Sequence, residues 1–273
     1  LKIEAGFGSL QGVAVDTTAK SGLPTIGHYL HKLFVVSDND AFNRLYEYLG
    51  SDYINSRMWE LGFPNTRIRH RLSLSLTERE NQFANAIQFY NNSGLIYEEP
   101  AREMVLDLDS PFEDFSLGDS HYVMGKKVEG PMDFSKKNFM SIPDQHKFLI
   151  QLIFPNENNF ENKLSLSESD RKFILSNMSM LPRQSTYPDY NSKFTDGYCK
   201  FFMFGDTKAK IPDHIKIFNK VGLAYGFVLD NAYIIDLKHN IEFFLTAVVY
   251  GNENRVLNDN IYDYDTQTIP FLA

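Results

Sequence analysis

Three strand-like runs late in the chain constrain its fold most: "HIKIFNKVG", "NAYIIDL" and "IEFFLTAVVYG". They are rich in β-branched and aromatic residues, which suit a pleated, half-buried surface. "KHN" separates the last two as a turn. A connection that short can only fold the chain back beside itself, so the pattern predicts an antiparallel meander. The strand-like character is expected from Gly197 onward, with a final helix beginning near "DYDTQTIPFLA".

The first half of the chain reads differently. "LPTIGHYLHKLFVV" places Ile26, Leu30, Leu33 and Phe34 near one helical face, with a proline at its start. A second helix is expected from about Asp40 to Tyr48, with Phe42, Leu45 and Leu49 at helical spacing and Gly50 as its stop. A third follows around "DYINSRMWELG". Residues 64–137 are rich in Asn, Ser, Asp and Gly, and "GLIYEEP" and "SHYVMGKKVEG" suggest hairpins. Helical pattern returns in "SIPDQHKFLIQLIF" and "SESDRKFILSNMSML", each preceded by Ser with acidic residues in its first turn.

The result is an α+β chain: a mostly helical region over 1–196, carrying a hairpin-rich insertion at about 82–137, then strands and a last helix over 197–273. Net charge is −8, so a general nucleic-acid binder is not indicated. No apolar run reaches membrane-spanning length. Cys199 is the only cysteine, which excludes an internal disulfide, and its aromatic surroundings suit a small buried hydrophobe. His28 and His31 stand at i, i+3 on one helix, but no third ligand accompanies them, so no metal or other cofactor is expected. The chain starts without Met or a signal segment and ends on "TIPFLA", and is read as part of a longer protein.

Two short motifs carry chemistry by their order. Ser37-Asp38-Asn39 stands where an apolar run meets a helix start; capping accounts for one or two such polar residues, not for three. Lys220-Val221-Gly222 ends a strand-like run much later. Together they resemble the class A serine β-lactamases and penicillin-binding D-alanyl-D-alanine peptidases, whose elements are Ser-x-x-Lys, Ser-Asp-Asn and Lys-Thr-Gly in that order. The resemblance implies a β-lactamase-like fold and an acyl-enzyme mechanism on a β-lactam or a peptidoglycan-type amide. It implies that Ser37 relays protons, Asn39 binds the substrate acylamide and Lys220 attracts a carboxylate, with Val221, Gly222 and Tyr225 along the cleft. It also implies a periplasmic or secreted location, a small-molecule or peptide substrate, and no nucleic-acid partner.

The chain departs from that pattern in three ways. Upstream of Ser37 only Thr17-Thr18-Ala19-Lys20 has the Ser-x-x-Lys spacing; Ser169-Asp170-Arg171-Lys172 has it too, but far too late. The nucleophile and the early strands are therefore expected upstream of Leu1, leaving this chain inactive alone. Val221 replaces the usual hydroxyl residue, whose lost hydrogen bond to a charged group is worth roughly 1.5–3 kcal/mol. The deacylating Glu is not legible among Glu78, Glu80 and Asn81. These departures motivate an alternative, a non-catalytic module of the same fold that binds cell wall or glycan.

Overall fold

A computed structural model describes residues 1–110, 115–156, 160, 162–191 and 193–273. Parts of the expected hairpin-rich insertion (111–114) and of the aromatic stretch before Cys199 (residue 192) lie outside the described residues.

Helix α1 spans Ile26–Val35 and α2 spans Asn39–Glu60. Thr25 caps α1 by accepting the His28 N–H. Gly50 interrupts α2 with φ 74° and ψ 153°, so the two expected helices are joined end to end and the predicted stop is a kink. Only glycine takes that backbone cheaply, and Met104 Sδ would lie 3.0 Å from any β-carbon placed there.

Two hairpins follow, as the turn-rich composition suggests. Strands β1 (Ile87–Asn91) and β2 (Gly94–Glu99) form one, with Lys2–Ile3 pairing on the outer side of β1. Strands β3 (Ser120–Val123) and β4 (Lys126–Glu129) form the other, and Val256–Leu257 runs parallel to β3. Helices α3 (Ile142–Ile153) and α4 (Glu168–Ser179) start at Ser141 and Ser167, whose hydroxyls accept the backbone N–H groups of Asp144 and Asp170.

The expected meander is β5 (Ile215–Ala224), β6 (Phe227–Asp236) and β7 (Ile241–Tyr250), antiparallel in that spatial order. Its two faces do different work because side chains alternate. Ile217, Val221, Val228, Ala232 and Ile234 pack with Phe201, Ile211 and Ile269 into the largest apolar cluster among the described residues. Phe218 and Tyr233 face the other way, onto Leu149 and Leu152 of α3 and Met178 of α4. The Asn231 side chain bonds the Gln145 carbonyl at 2.9 Å and Thr246 at 2.7 Å, which ties α3 to this face. Strand β7 forms an edge, with Phe243 and Leu245 exposed on it.

Residues 196–204 are not strand. They make a 3₁₀ turn at Asp196–Cys199 and a short helical turn at Phe201–Phe204. The aromatic density that reads as strand comes from Phe201 and Phe202 plugging the core under the meander. Turned backbone is enforced at Gly197, where a β-carbon would fall 1.9 Å from the Phe204 carbonyl oxygen. Cys199 is buried as expected. The chain's end is a π-helical turn at Tyr264–Thr268 and one α-turn at Ile269–Leu272, shorter than the helix the sequence suggests.

Candidate active site

The site begins at the corner between α1 and α2. Asp38 is the cap: its carboxylate accepts the Ala41 N–H at 2.8 Å. Buried Lys32 lies 3.5 Å from Asp38 and 4.0 Å from Asp16. The Lys32 carbonyl accepts the N–H groups of both Val36 and Asp38. Held from both sides, Ser37 adopts φ 55°. That left-handed conformation costs a residue with a β-carbon about 1–2 kcal/mol. The Ser37 hydroxyl takes no part in the cap. It accepts instead from Lys220 Nζ at 2.6 Å, across 183 positions of sequence.

Lys220 is the sixth residue of β5, opposite Asn231 in the ladder. Its ammonium also donates to the Val221 carbonyl at 2.6 Å. Burial pushes its pKa below the ordinary lysine range, while Cys199 and Asp230 act in the opposite sense. Asn39, the first residue of α2, is exposed and donates to the Ser73 hydroxyl at 2.8 Å. Ser37 and Lys220 therefore meet, while Asn39, two positions after Ser37, turns its amide to Ser73. Val221 does not join them: its side chain is buried in the apolar cluster on the far face of the sheet. Gly222 faces open space, with no atom within 4 Å of a β-carbon built there. Tyr225 sits in the turn after β5 with φ 53°, its ring edge-on to Phe134 at 5.2 Å.

Other sequence candidates are occupied elsewhere. Ser169 and Lys172 lie on the exposed start of α4, where Lys172 pairs with Glu168 at 3.2 Å. Lys20 lies over the Tyr187 ring. Glu80 closes a capping box with Thr77, and hydrogen bonds from Ser9 and Thr77 hold its carboxyl down at about 2. Glu78 pairs with Lys136 at 3.0 Å, and Asn81 accepts the Arg71 N–H at 2.9 Å. Both nitrogens of His31 are bonded, to Asn177 and Ser185, and His28 meets Thr18 at 2.9 Å.

Two features carry no sequence motif. Behind the sheet, fully buried Lys200 donates to the Met178 carbonyl and to Asn219 Oδ1, both at 2.6 Å. Asn219 in turn donates to Asp230, whose other oxygen accepts the N–H groups of Phe201 and Phe202. Burial pushes Lys200 down to about 8 and Asp230 up to about 6. Beside the corner, a cavity of about 700 Å³ is lined by Ser73, Tyr225 and a group of cationic side chains; neither Ser37 nor Lys220 lines it. The partner of Asn39, Ser73, thus forms a wall shared by the corner and the cavity.

No curated protein matches the sequence. Among solved structures, a β-lactamase from Burkholderia ambifaria is 13% identical with a TM-score of 0.46, covering 87% of this chain and 61% of its own. The β-lactamase from Streptomyces albus G is 14% identical with a TM-score of 0.48, covering 95% and 67%. A β-lactamase from Desulfarculus baarsii is 11% identical with a TM-score of 0.48, covering 91% and 67%. The chain thus spans 61% of the first of these structures and 67% of the other two. A family model described as "Beta-lactamase enzyme family" matches residues 2–263. With a match over nearly its whole length, and with helices packed on an antiparallel sheet, the chain belongs to the beta-lactamase enzyme family.

Proposed function

We propose that Ser37, Asn39 and Lys220 form the proton-relay and substrate-binding half of a serine acyl-transfer site acting on a β-lactam or a peptidoglycan-type amide. The observation that carries this reading is the 2.6 Å hydrogen bond from Lys220 to Ser37, made between remote segments and with Ser37 in a costly conformation. Strain of that kind persists where surrounding structure imposes it, and it concentrates at functional sites. In this reading Ser37 passes a proton between the attacking hydroxyl and the leaving nitrogen. Lys220 lowers the hydroxyl's hold on its proton and attracts a substrate carboxylate, an effect strengthened by partial burial. Asn39 releases Ser73 and turns its amide to the substrate. In this reading the acylated serine lies outside residues 1–273, because the chain's one Ser-x-x-Lys pair, Ser169 and Lys172, stands on the exposed start of α4. Residues 1–273 are then inactive by themselves. The protein works in the periplasm or outside the cell, where such substrates occur.

Labelling the full-length protein with a fluorescent penicillin tests this. Ser37→Ala and Lys220→Ala are each expected to slow adduct formation by about 10²-fold or more, the usual contribution of a positioned proton-transfer group. No adduct on the wild type, or unchanged labelling in both variants, would remove the proposal.

A second reading, a binder of cell-wall glycan without turnover, draws on Val221. Its side chain is turned into the core and offers the cleft no hydroxyl. Saturable binding of peptidoglycan fragments by a protein that forms no penicillin adduct would select it.

A further inference from the structure

The cavity beside the corner contains an arginine with nothing to hold. Arg69 lines it, and among the described residues Nε and Nη2 of Arg69, both buried, have no hydrogen-bond partner. Those two nitrogens form one edge of the guanidinium, the edge that grips a carboxylate with two parallel bonds. The chain uses that edge on carboxylates elsewhere. Arg255 applies Nε and Nη2 to the two oxygens of Asp119 at 2.6 and 2.7 Å, and Arg71 applies both to one oxygen of Glu47. In Arg69 the same edge is desolvated and empty, an arrangement that costs stability unless a ligand completes it.

The neighbours narrow the ligand's chemistry. His70 Nδ1 must donate to the Arg71 carbonyl at 2.7 Å, which leaves Nε2 as an acceptor while the ring is neutral. Burial holds the ring's pKa below the ordinary histidine range, and Nε2 is itself buried and unpartnered. The wall thus offers a forked cationic donor beside a neutral acceptor. Lys137 adds an ammonium 5.2 Å from the Tyr225 ring centroid; Arg71, paired with Glu47, and Lys136, paired with Glu78, also line the cavity, whose carboxylates are Asp107 and Glu78. A ligand that meets both empty groups carries a carboxylate next to an N–H, as an N-acylated amino acid or a peptide's free end does.

We propose that the Arg69–His70 cavity is a subsite for an N-acyl carboxylate, holding a second acidic group of the molecule that is processed at the Ser37–Lys220 corner. Its assignment to a substrate rests on the proposed acyl-transfer reading and on Ser73, which lines the cavity and bonds Asn39. The anion site itself does not need that reading.

The test measures binding without turnover. The protein is titrated with N-acetylglycine, its neutral analogue N-acetylglycinamide and inorganic phosphate, following the arginine Nε–H resonances by NMR. N-acetylglycine should bind saturably and shift one arginine resonance, and the amide should bind at least about tenfold more weakly, the factor expected when a charge-assisted pair is lost. Arg69→Ala should abolish the shift. Arg69→Lys, which keeps the charge and loses the fork, should weaken binding about tenfold with an unchanged thermal melt. The side chain of Arg69 makes no hydrogen bond through Nε or Nη2, so neither variant removes one there. Equal binding of acid and amide, wild-type affinity in both variants, no saturable binding of N-acetylglycine, or binding of phosphate alone would overturn the proposal. Because no acylation is involved, these failures are separate from a failure of penicillin labelling.

Discussion

At the scale of single residues, the three positions of "SDN" divide their labour. Asp38 caps α2, Asn39 reaches Ser73, and Ser37 meets Lys220. The motif is visible in sequence, but which of its side chains caps the helix is not; only the hydrogen bonds give the cap to Asp38 and leave Ser37 to Lys220. Lys220 gives a pH signature. Burial lowers its pKa, so the charged form, which in the proposed reading attracts a carboxylate, is lost at a lower pH than for an ordinary lysine. The rate of acylation by a carboxylate-bearing substrate should therefore fall on the alkaline side earlier than ordinary lysine titration dictates. A kcat/KM profile of the full-length protein checks this. Lys220→Arg, which titrates far higher, should remove that alkaline fall; a profile identical in wild type and variant would exclude Lys220 as its source.

At the scale of elements, the meander is legible in sequence because alternation and a short turn leave few options. Residues 196–204 are not, because Phe, Tyr and Cys fill a core from a turn as readily as from a strand. The packing behind β5 also sets a stability signature. Lys200 titrates at about 8 in the folded protein, against 10.5 for an ordinary lysine. The cost of burying its charge is present in full below the folded value. Above it the unfolded chain binds more protons than the folded one, so this contribution to stability rises from about pH 8 toward 10.5. Urea midpoints of wild type and Lys200→Met, measured at pH 7 and pH 10, isolate it. The wild type should gain on the variant as pH rises, by up to a few kcal/mol, since each tenfold change in proton affinity is worth about 1.4 kcal/mol. A difference that is flat with pH would show that Lys200 keeps its proton up to pH 10 in the folded protein, as an ordinary lysine does.

At the scale of the whole molecule, order is unevenly distributed. Strand β6 lies between two partners, with Val228 and Ala232 fully buried, whereas β4 is exposed along its length. Local opening follows such differences in buried apolar contact. Amide exchange should be slower in β6 than in β4 by about 10³-fold or more, an opening difference of several kcal/mol. Comparable protection in the two, measured by mass spectrometry or NMR, would contradict this distribution of stability.

The sequence by itself determined the meander, the helical first half and the order of two motifs. These depend on local periodicity and on chain direction, which neighbours in sequence encode. Only the tertiary structure decided that Lys220 reaches Ser37, that Val221 faces the core, and that Arg69 opens an empty fork into a cavity. Each of those outcomes depends on which groups from distant segments desolvate one another, and no local pattern of residues carries that information.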